Sequence, residues 1–249
     1  MNTRTFTAIL FLSIVTLCTC GVNNAGQSPV DKLDKIYPTL FLLSAGLKTD
    51  TLKSAFLIFL EKDPTMYSVA IIVNASTTEK KKNKKTKKIK IQFSEMGFDS
   101  TKIEKFDLMK RSPAELSTFD IIYTLGGNPF LLLDEVNKSG FRTILKELAY
   151  QDKIMMGYSA GSLLLGPDLT LLNHADSLLG FNEMGLNELS CLGLYDFYIF
   201  PHYADFTRQV PELIANINQF ERQSKFPIYR LKDNQGIIYR YGKIEVIGN

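Results

Sequence analysis

Cysteine and histidine are scarce in this 249-residue chain, which contains three cysteines and two histidines. Three cysteines cannot all be paired in disulfides, so the sequence disfavours a disulfide scaffold. It also contains no cluster of cysteine, histidine and carboxylate residues that would suggest a zinc site. The longest apolar stretch, near the N-terminus, has about ten residues, too few to span a bilayer, which needs about 20. Neither a metal nor an organic cofactor is expected.

The net charge of +3 hides an uneven distribution, because eight lysines lie at positions 80–90 and the rest of the chain is mildly acidic. Such a block either binds an anionic surface of nucleic acid or lipid, or forms a solvated face of a helix. No aromatic residues are interleaved and no recognition motif is present. The solvated face is therefore favoured, and no nucleic-acid partner is expected.

The first 28 residues have the layout of a secretory signal and a polar spacer. Arg4 precedes an apolar run at residues 8–17, and a stretch rich in Asn, Gly and Gln follows. Residues 17–21 resemble a bacterial lipobox, in which Cys20 would be acylated and would attach the protein to a membrane. We expect an exported protein, a membrane-anchored lipoprotein if Cys20 is lipidated; the alternative is a cytoplasmic protein with an apolar extension.

From residue 38 onwards, short apolar runs alternate with stretches of helical periodicity. The runs predict strands at residues 38–44, 68–74, 103–108, 119–125 and 154–156. The other stretches predict helices at 53–61, from a capping signal at 76–79 to about Met96, and at 131–150 as one helix or two split near Gly140. Strands that are apolar on both faces predict an α/β fold, a three-layer α/β/α sandwich with a mostly parallel sheet, in one domain at residues 29–249.

A Gly-x-Ser-x-Gly turn follows the last of these strands, at residues 157–161. A strand that turns sharply at this motif and continues as a helix is a nucleophile elbow, which exposes the hydroxyl of Ser159 above the sheet edge. The N–H of Ala160 would then face a developing oxyanion. A second glycine-bearing turn, at residues 126–128, also follows a strand, where ligands of parallel sheets bind. Together the two turns favour catalysis over an ordinary turn with a serine cap.

A serine nucleophile requires a base, and the sequence offers His174 and His202. His202 follows an apolar run and Pro201, at the end of a predicted strand, and is the preferred candidate. His174 lies in an amphipathic or loop context without an evident role. No histidine follows His202 and no His-Gly-Gly-Gly motif is present, so the chain order disfavours an α/β-hydrolase.

Four motifs occur in order: LGGN at 125–128, GYSAGS at 157–162, PHYAD at 201–205 and LKDNQGI at 231–237. This ordered set resembles the peptidase E family (family S51) of serine peptidases, which includes aspartyl dipeptidases and, more distantly, cyanophycinases. The resemblance runs from about residue 38 to the C-terminus. It implies a single catalytic domain similar to class I glutamine amidotransferases, acting without a cofactor.

The resemblance also implies a Ser-His-acid mechanism that proceeds through an acyl-enzyme. Ser159 matches the nucleophile and His202 the base. The acidic position falls on Asp233, where the aspartyl dipeptidases carry glutamate; Asp205 and Asp168 are local alternatives.

Further site residues follow from the same resemblance. The backbone N–H groups of Gly127 and Ala160 would form the oxyanion hole, and Asn128 would line the site. Aspartyl dipeptidases carry Thr-Arg-x-x-Arg after the active histidine; this chain keeps Arg208 and has Pro211 at the second position. Arg208 either binds a substrate carboxylate or lies on a solvated helix.

The expected function is hydrolysis of dipeptides or short peptides, with N-terminal aspartate as a candidate preference. A cyanophycinase-like peptidase, an unrelated esterase or acyltransferase, and a non-catalytic lipid-anchored binding protein are the alternatives. Cys191 is expected to be a small apolar filler. The sequence does not determine the oligomeric state.

Overall fold

The computed structural model describes residues 37–249, so the predicted leader with Cys20 lies outside the described residues. The strands are β1 (Thr39–Leu43), β2 (Val69–Ile72), β3 (Ile103–Phe106), β4 (Ile121–Thr124), β5 (Ile154–Tyr158), β6 (Tyr198–Phe200), β7 (Ile228–Arg230), β8 (Gly236–Arg240) and β9 (Lys243–Ile247). The helices are α1 (Asp50–Phe59), α2 (Glu79–Glu95), α3 (Pro113–Leu116), α4 (Pro129–Ser139), α5 (Phe141–Ala149), α6 (Ala160–Leu165), α7 (Thr170–His174), α8 (Asp176–Leu179), α9 (Tyr203–Gln209) and α10 (Leu213–Gln223). Within residues 37–249, none of the helices has both the length and the apolar character of a transmembrane helix.

Seven strands form the central sheet, in the order β3-β2-β4-β5-β1-β8-β9. The first five strands of the chain run parallel to one another, whereas β8 is antiparallel to β1 and β9 is antiparallel to β8. The β8–β9 hairpin turns at Tyr241 and Gly242, whose φ angles of 54° and 71° suit a type I′ turn. The expected mostly parallel sheet is confirmed.

Alternate residues of β1 face opposite sides of the sheet, and helices cover both sides. On one side Phe41 packs against Phe56 of α1, with ring centroids 5.0 Å apart, and Phe93 of α2 belongs to the same core. On the other side Leu42 packs in a core with residues of α4, α5 and α6. This is the expected α/β/α sandwich, and it leaves the carboxyl ends of the parallel strands as the edge where chain segments from both sides meet.

The structure settles two points that the sequence left open. The region 131–150 forms two helices, because Gly140 adopts a left-handed conformation with φ 75° that ends α4 and begins α5. The apolar run before His202 is a strand, β6, but it pairs with β7 in a separate two-stranded sheet rather than with the central sheet. His202 therefore reaches the site from outside the central sheet.

The lysine block lies in α2, which begins at the predicted cap Thr78 and buries Ile89 and Phe93. Five of the eight lysines are exposed, as a solvated face requires. The expectation is wrong at Lys82, which is buried and forms an ion pair of 2.8 Å with the buried Asp107. A charged side chain can be buried here because its partner is buried with it.

Candidate active site

Ser159 lies between β5 and α6 with φ 49° and ψ −120°, a conformation that non-glycine residues rarely adopt. A Cβ added to Gly161 would lie 2.0 Å from the carbonyl oxygen of Thr124, and one on Gly157 would lie 2.6 Å from the carbonyl carbon of Gly161. Only glycine allows this close approach of α6 to β4 and β5. The backbone thus has the sharp strand-to-helix turn predicted for the nucleophile elbow.

Hydrogen bonds to the end of β1 hold the elbow in place. The N–H of Ser159 donates to the carbonyl oxygen of Leu43 at 2.9 Å. The buried hydroxyl of Ser162 accepts from the Leu43 N–H at 3.0 Å and donates to the Leu43 carbonyl oxygen at 2.9 Å. The elbow is therefore tied to β1 by both residues.

His202 also has a positive φ, of 55°, and among the non-glycine residues within 37–249 only His202, Ser159 and Tyr241 have one. Its N–H donates to the hydroxyl of Ser44 at 2.8 Å, and that hydroxyl donates to the carbonyl oxygen of Leu231 at 3.3 Å. Ser44 follows β1 directly, so one residue at the end of β1 connects the His202 turn to the segment that precedes Asp233.

The imidazole of His202 contacts Asp233, with 2.6 Å between Nδ1 and Oδ1. The other carboxylate oxygen of Asp233 accepts from Nζ of Lys48, also at 2.6 Å. Burial alone would raise the pKa of Asp233, but the hydrogen bonds from Lys48 and His202 outweigh it and hold that pKa below its usual value. Asp233 is therefore an ionised carboxylate that binds the predicted base on one side and a lysine on the other.

Lys48 was missed by the sequence reasoning. It lies in the loop after β1, and such loops meet at the carboxyl edge of a parallel sheet. That position is the signal that could have identified it.

A small apolar cavity of about 30 Å³ lies beside Ser159. Gly127 and Ala160, the two predicted oxyanion donors, line it together with Ser159. Phe206 also lines it, and the Phe206 ring packs edge-on against the His202 ring at 5.8 Å between centroids. The structure thus places Ser159, Gly127 and Ala160 around one cavity, and His202, which is bound to Asp233, packs against the cavity wall at Phe206.

Gly127 approaches the backbone of the β2–α2 loop very closely. A Cβ at this position would lie 2.0 Å from the carbonyl oxygen of Ala75, which accepts the N–H of Asn128 at 3.0 Å. Glycine is therefore required for the turn to reach the cavity.

The side chain of Asn128 is fully engaged within the protein. Its Oδ1 accepts from the N–H groups of Phe130 and Leu131 and caps α4, and its Nδ2 donates to the carbonyl oxygen of Phe181 at 2.8 Å. Because Phe181 lines the cavity, Asn128 shapes the site through Phe181 and does not itself line it.

Arg208 lies in the last turn of α9, with 73% of its side chain exposed, and forms an ion pair of 2.7 Å with Asp205. It does not line the cavity. The other acidic alternative, Asp168, accepts from the hydroxyl of Tyr198 at 3.0 Å. Of the three carboxylates considered for the third catalytic position, Asp233 is the one that contacts His202.

The remaining candidates lie elsewhere. His174 ends α7 and packs against Phe220, with 5.6 Å between ring centroids. Cys191 is buried, as expected for an apolar filler, and burial raises the pKa of its thiol. No group of three or more His, Cys, Asp or Glu side chains arranged to hold a metal ion occurs within residues 37–249.

Curated relatives match part of the chain. An uncharacterized peptidase of Pasteurella multocida is 33% identical over 108 residues, which cover 42% of this chain and 51% of that protein. An uncharacterized peptidase of Listeria monocytogenes is 28% identical over 143 residues, which cover 55% of this chain and 67% of that protein. The chain thus spans about half to two thirds of the length of these relatives.

Two solved structures have a similar fold. A candidate peptidase E protein from Listeria monocytogenes EGD-e superposes with a TM-score of 0.64 at 23% identity, over 85% of this chain and 98% of that one. A peptidase from an acI-B1 Actinobacterium superposes with a TM-score of 0.59 at 18% identity, over 86% of this chain and 88% of that one. The model of peptidase family S51 matches residues 40–247, nearly the whole of the described chain, and the chain therefore belongs to that family.

Proposed function

We propose that this protein is a serine exopeptidase that hydrolyses dipeptides or other short peptides. The observation that carries the proposal is that a chain of family S51 has both a serine at a nucleophile elbow and a histidine whose Nδ1 lies 2.6 Å from a carboxylate oxygen. These are the parts from which Ser-His-acid catalysis is built, and geometry and roles identify such a triad better than chain order does.

In the proposed mechanism, Ser159 attacks the scissile carbonyl while His202 accepts its proton. Asp233 is bound at Nδ1, which leaves Nε2 of His202 as the nitrogen that exchanges a proton with Ser159. The carboxylate orients the ring and stabilises its charged form during the attack. His202 then protonates the leaving amine, and water hydrolyses the acyl-enzyme by the same route in reverse.

The proposed oxyanion hole consists of the N–H groups of Gly127 and Ala160. Both residues line the cavity beside Ser159, one from each glycine-bearing turn. A well-placed donor of this kind contributes about 3 kcal/mol to the stability of the transition state.

Arg208 is paired with Asp205 and does not line the cavity, so the geometry gives no support to an N-terminal aspartate preference through this residue. For that reason we propose short-peptide hydrolysis as the function and treat aspartate selectivity as the finer question. Both are tested by the same assay.

The test is hydrolysis of Asp-Leu, Ala-Leu, Gly-Leu and an aspartate-containing tripeptide, with Ser159→Ala as the control, alongside labelling of Ser159 by a fluorophosphonate. Cleavage that the substitution abolishes supports the proposal, and a preference for Asp-Leu adds the aspartate selectivity. Labelling of Ser159 without cleavage of any peptide would instead indicate another acyl substrate. A wild-type protein that shows neither labelling of Ser159 nor cleavage of any peptide would contradict catalysis altogether.

A further inference from the structure

A second and larger cavity, of about 220 Å³, lies at the carboxyl end of β1 on the side of the sheet covered by α1 and α2. Four lysines line it: Lys48, Lys53, Lys85 and Lys88. Gln92 and Tyr158 contribute polar groups, and no acidic residue lines the cavity. We call this cavity the lysine pocket.

Two of the four ammonium groups have a carboxylate partner outside the pocket lining. Lys48 pairs with Asp233 at 2.6 Å, and Lys53 pairs with the exposed Asp50 at 3.1 Å. Within residues 37–249, no carboxylate lies within 4.0 Å of the ammonium groups of Lys85 or Lys88. The pocket therefore carries positive charge that the described residues leave uncompensated.

Lys85 is half-buried, and its Nζ donates only to neutral oxygens, the Ser76 hydroxyl at 2.9 Å and the Gly126 carbonyl at 2.6 Å. Burial, together with the charge of Lys81, lowers the pKa of Lys85. A cation held partly out of water is stabilised when an anion joins it, because the anion restores the interactions that burial removed.

A buried hydroxyl lies directly behind the pocket. Among residues 37–249, the Tyr123 hydroxyl is one of a few buried polar side-chain atoms without a hydrogen-bond partner. It lies 3.6 Å from the position that a Cβ on Gly46 would occupy, and Gly46 lines the pocket. This places an unused donor behind the pocket wall at Gly46.

We propose that the lysine pocket binds an anionic group, a carboxylate or a phosphate, at Lys85 and Lys88. An ammonium group suits either anion, since it binds as a compact point charge with three donors. The pocket is linked to the candidate active site, because Lys48 contacts Asp233 and Lys85 contacts the carbonyl of Gly126, the residue before Gly127. Two sources can supply the anion. One is the carboxylate of a bound peptide, an assignment that rests on the proposed function; the other is a free anion from solution, which is independent of that function.

The site is tested by calorimetric titration of the Ser159→Ala protein with inorganic phosphate and pyrophosphate at constant ionic strength. We expect saturable binding that Lys85→Met and Lys88→Met each weaken at least about tenfold. Lys84→Met is the matched control, since Lys84 is exposed on the same helix, does not line the pocket and loses the same charge. Methionine has about the helix propensity of lysine, and exposed Lys88 can be replaced without disturbing the fold. Absence of binding, or equal binding by the four proteins, would overturn the proposal.

Competition then identifies the source. Ala-Leu, Asp-Leu and their C-terminal amides are titrated into the same Ser159→Ala protein with and without phosphate. Displacement of phosphate only by peptides that retain a carboxylate assigns the pocket to the substrate. Simultaneous binding of phosphate and peptide assigns it to a free anion. Phosphate binding is measured without turnover, so the two tests are independent. A negative peptidase assay would not contradict the anion site, and absence of phosphate binding would not contradict the peptidase activity.

Discussion

At the scale of single residues, the two oxygens of the Asp233 carboxylate bind two different side chains. One carboxylate oxygen contacts His202 and the other contacts Lys48, each at 2.6 Å. A carboxylate that binds through both oxygens is restrained in rotation, so it holds the imidazole at a fixed angle. Lys48 is thus a positioning residue for the acid, and the two functions proposed above meet at this side chain.

Asp233→Asn is expected to lower kcat/KM for the best peptide substrate by about 10²- to 10⁴-fold, because the amide no longer stabilises the charged imidazole and favours the wrong tautomer. Steady-state kinetics measure the change. The matched control is Asp205→Asn, which breaks an exposed ion pair with Arg208 away from the cavity and is expected to stay within a few-fold of the wild type. If both variants lose activity equally, Asp233 does not have the special role assigned to it.

At the scale of elements, the elbow depends on how closely α6 packs against β4 and β1. The strand end of β1 serves three purposes there: Leu43 anchors Ser159 and Ser162, and Ser44 anchors the His202 turn. Loss of any of these contacts would move the nucleophile relative to the base.

Ser162→Ala is expected to lower the free energy of unfolding by about 1–3 kcal/mol, because the buried N–H of Leu43 loses its acceptor. Urea unfolding measures the loss. Ser94→Ala serves as the comparison, since the Ser94 hydroxyl is exposed on α2, and that change is expected to stay within about 0.5 kcal/mol. A cost at Ser162 no greater than at Ser94 would show that the link to β1 is not stabilising.

Gly161→Ala and Gly140→Ala separate close packing from backbone conformation. Gly140 has φ 75° and open space around it, so alanine there costs about 1–2 kcal/mol from the left-handed conformation alone. At Gly161 the new methyl group would lie 2.0 Å from the Thr124 carbonyl oxygen, which forces α6 away from β4. We expect Gly161→Ala to destabilise the protein more than Gly140→Ala does, and to abolish fluorophosphonate labelling of Ser159. Thermal unfolding and labelling together test this; a fully labelled Gly161→Ala protein would contradict it.

At the scale of the whole molecule, local patterns predicted the parallel strands, the helices between them and the two glycine-bearing turns, because apolar runs and glycine spacing report on the backbone nearby. Contacts between distant residues could not be predicted in the same way. Lys48 and Asp233 are 185 positions apart, and nothing in either segment indicates the other. The pairing of β6 with β7 is likewise a contact between distant segments that local patterns do not indicate.

The lysine block illustrates the same limit on a single helix. Composition and spacing indicated a solvated face, yet Lys82 is buried against Asp107 and the half-buried Lys85 lines the lysine pocket. The apolar stem of a lysine can pack along an apolar surface while its ammonium group lies several bonds away from the backbone. The sequence therefore does not distinguish a solvated lysine from one that pairs with a buried acid. Only the position of Asp107, after β3, decides it.

The buried Lys82–Asp107 pair makes the stability of the whole fold depend on pH. Burial would raise the pKa of Asp107, but hydrogen bonds from Lys82 and Asn74 and from the Met109 N–H outweigh it and lower that pKa. A carboxyl whose pKa is lower in the folded state stabilises the fold above its unfolded pKa of about 3.9, and this contribution disappears as the pH falls through the folded value. Asp120 and Asp233 act in the same direction. We therefore expect that titration of these three carboxyl groups changes the free energy of unfolding little above about pH 5 and lowers it below about pH 4.

Lys82→Met tests the origin of this dependence. At pH 7 the variant is expected to lose about 3–5 kcal/mol, because it removes the buried cation of Asp107 and leaves only the exposed Lys110, 3.9 Å away. As the pH falls, Asp107 of the variant takes up a proton and the unpaired charge disappears, so the difference from the wild type should narrow. Urea unfolding between pH 3 and pH 7 measures both proteins, with exposed Lys84→Met as the control that stays near the wild type throughout. A deficit in Lys82→Met that is the same at every pH would mean that lost packing of the lysine stem, rather than an unpaired carboxylate, accounts for it.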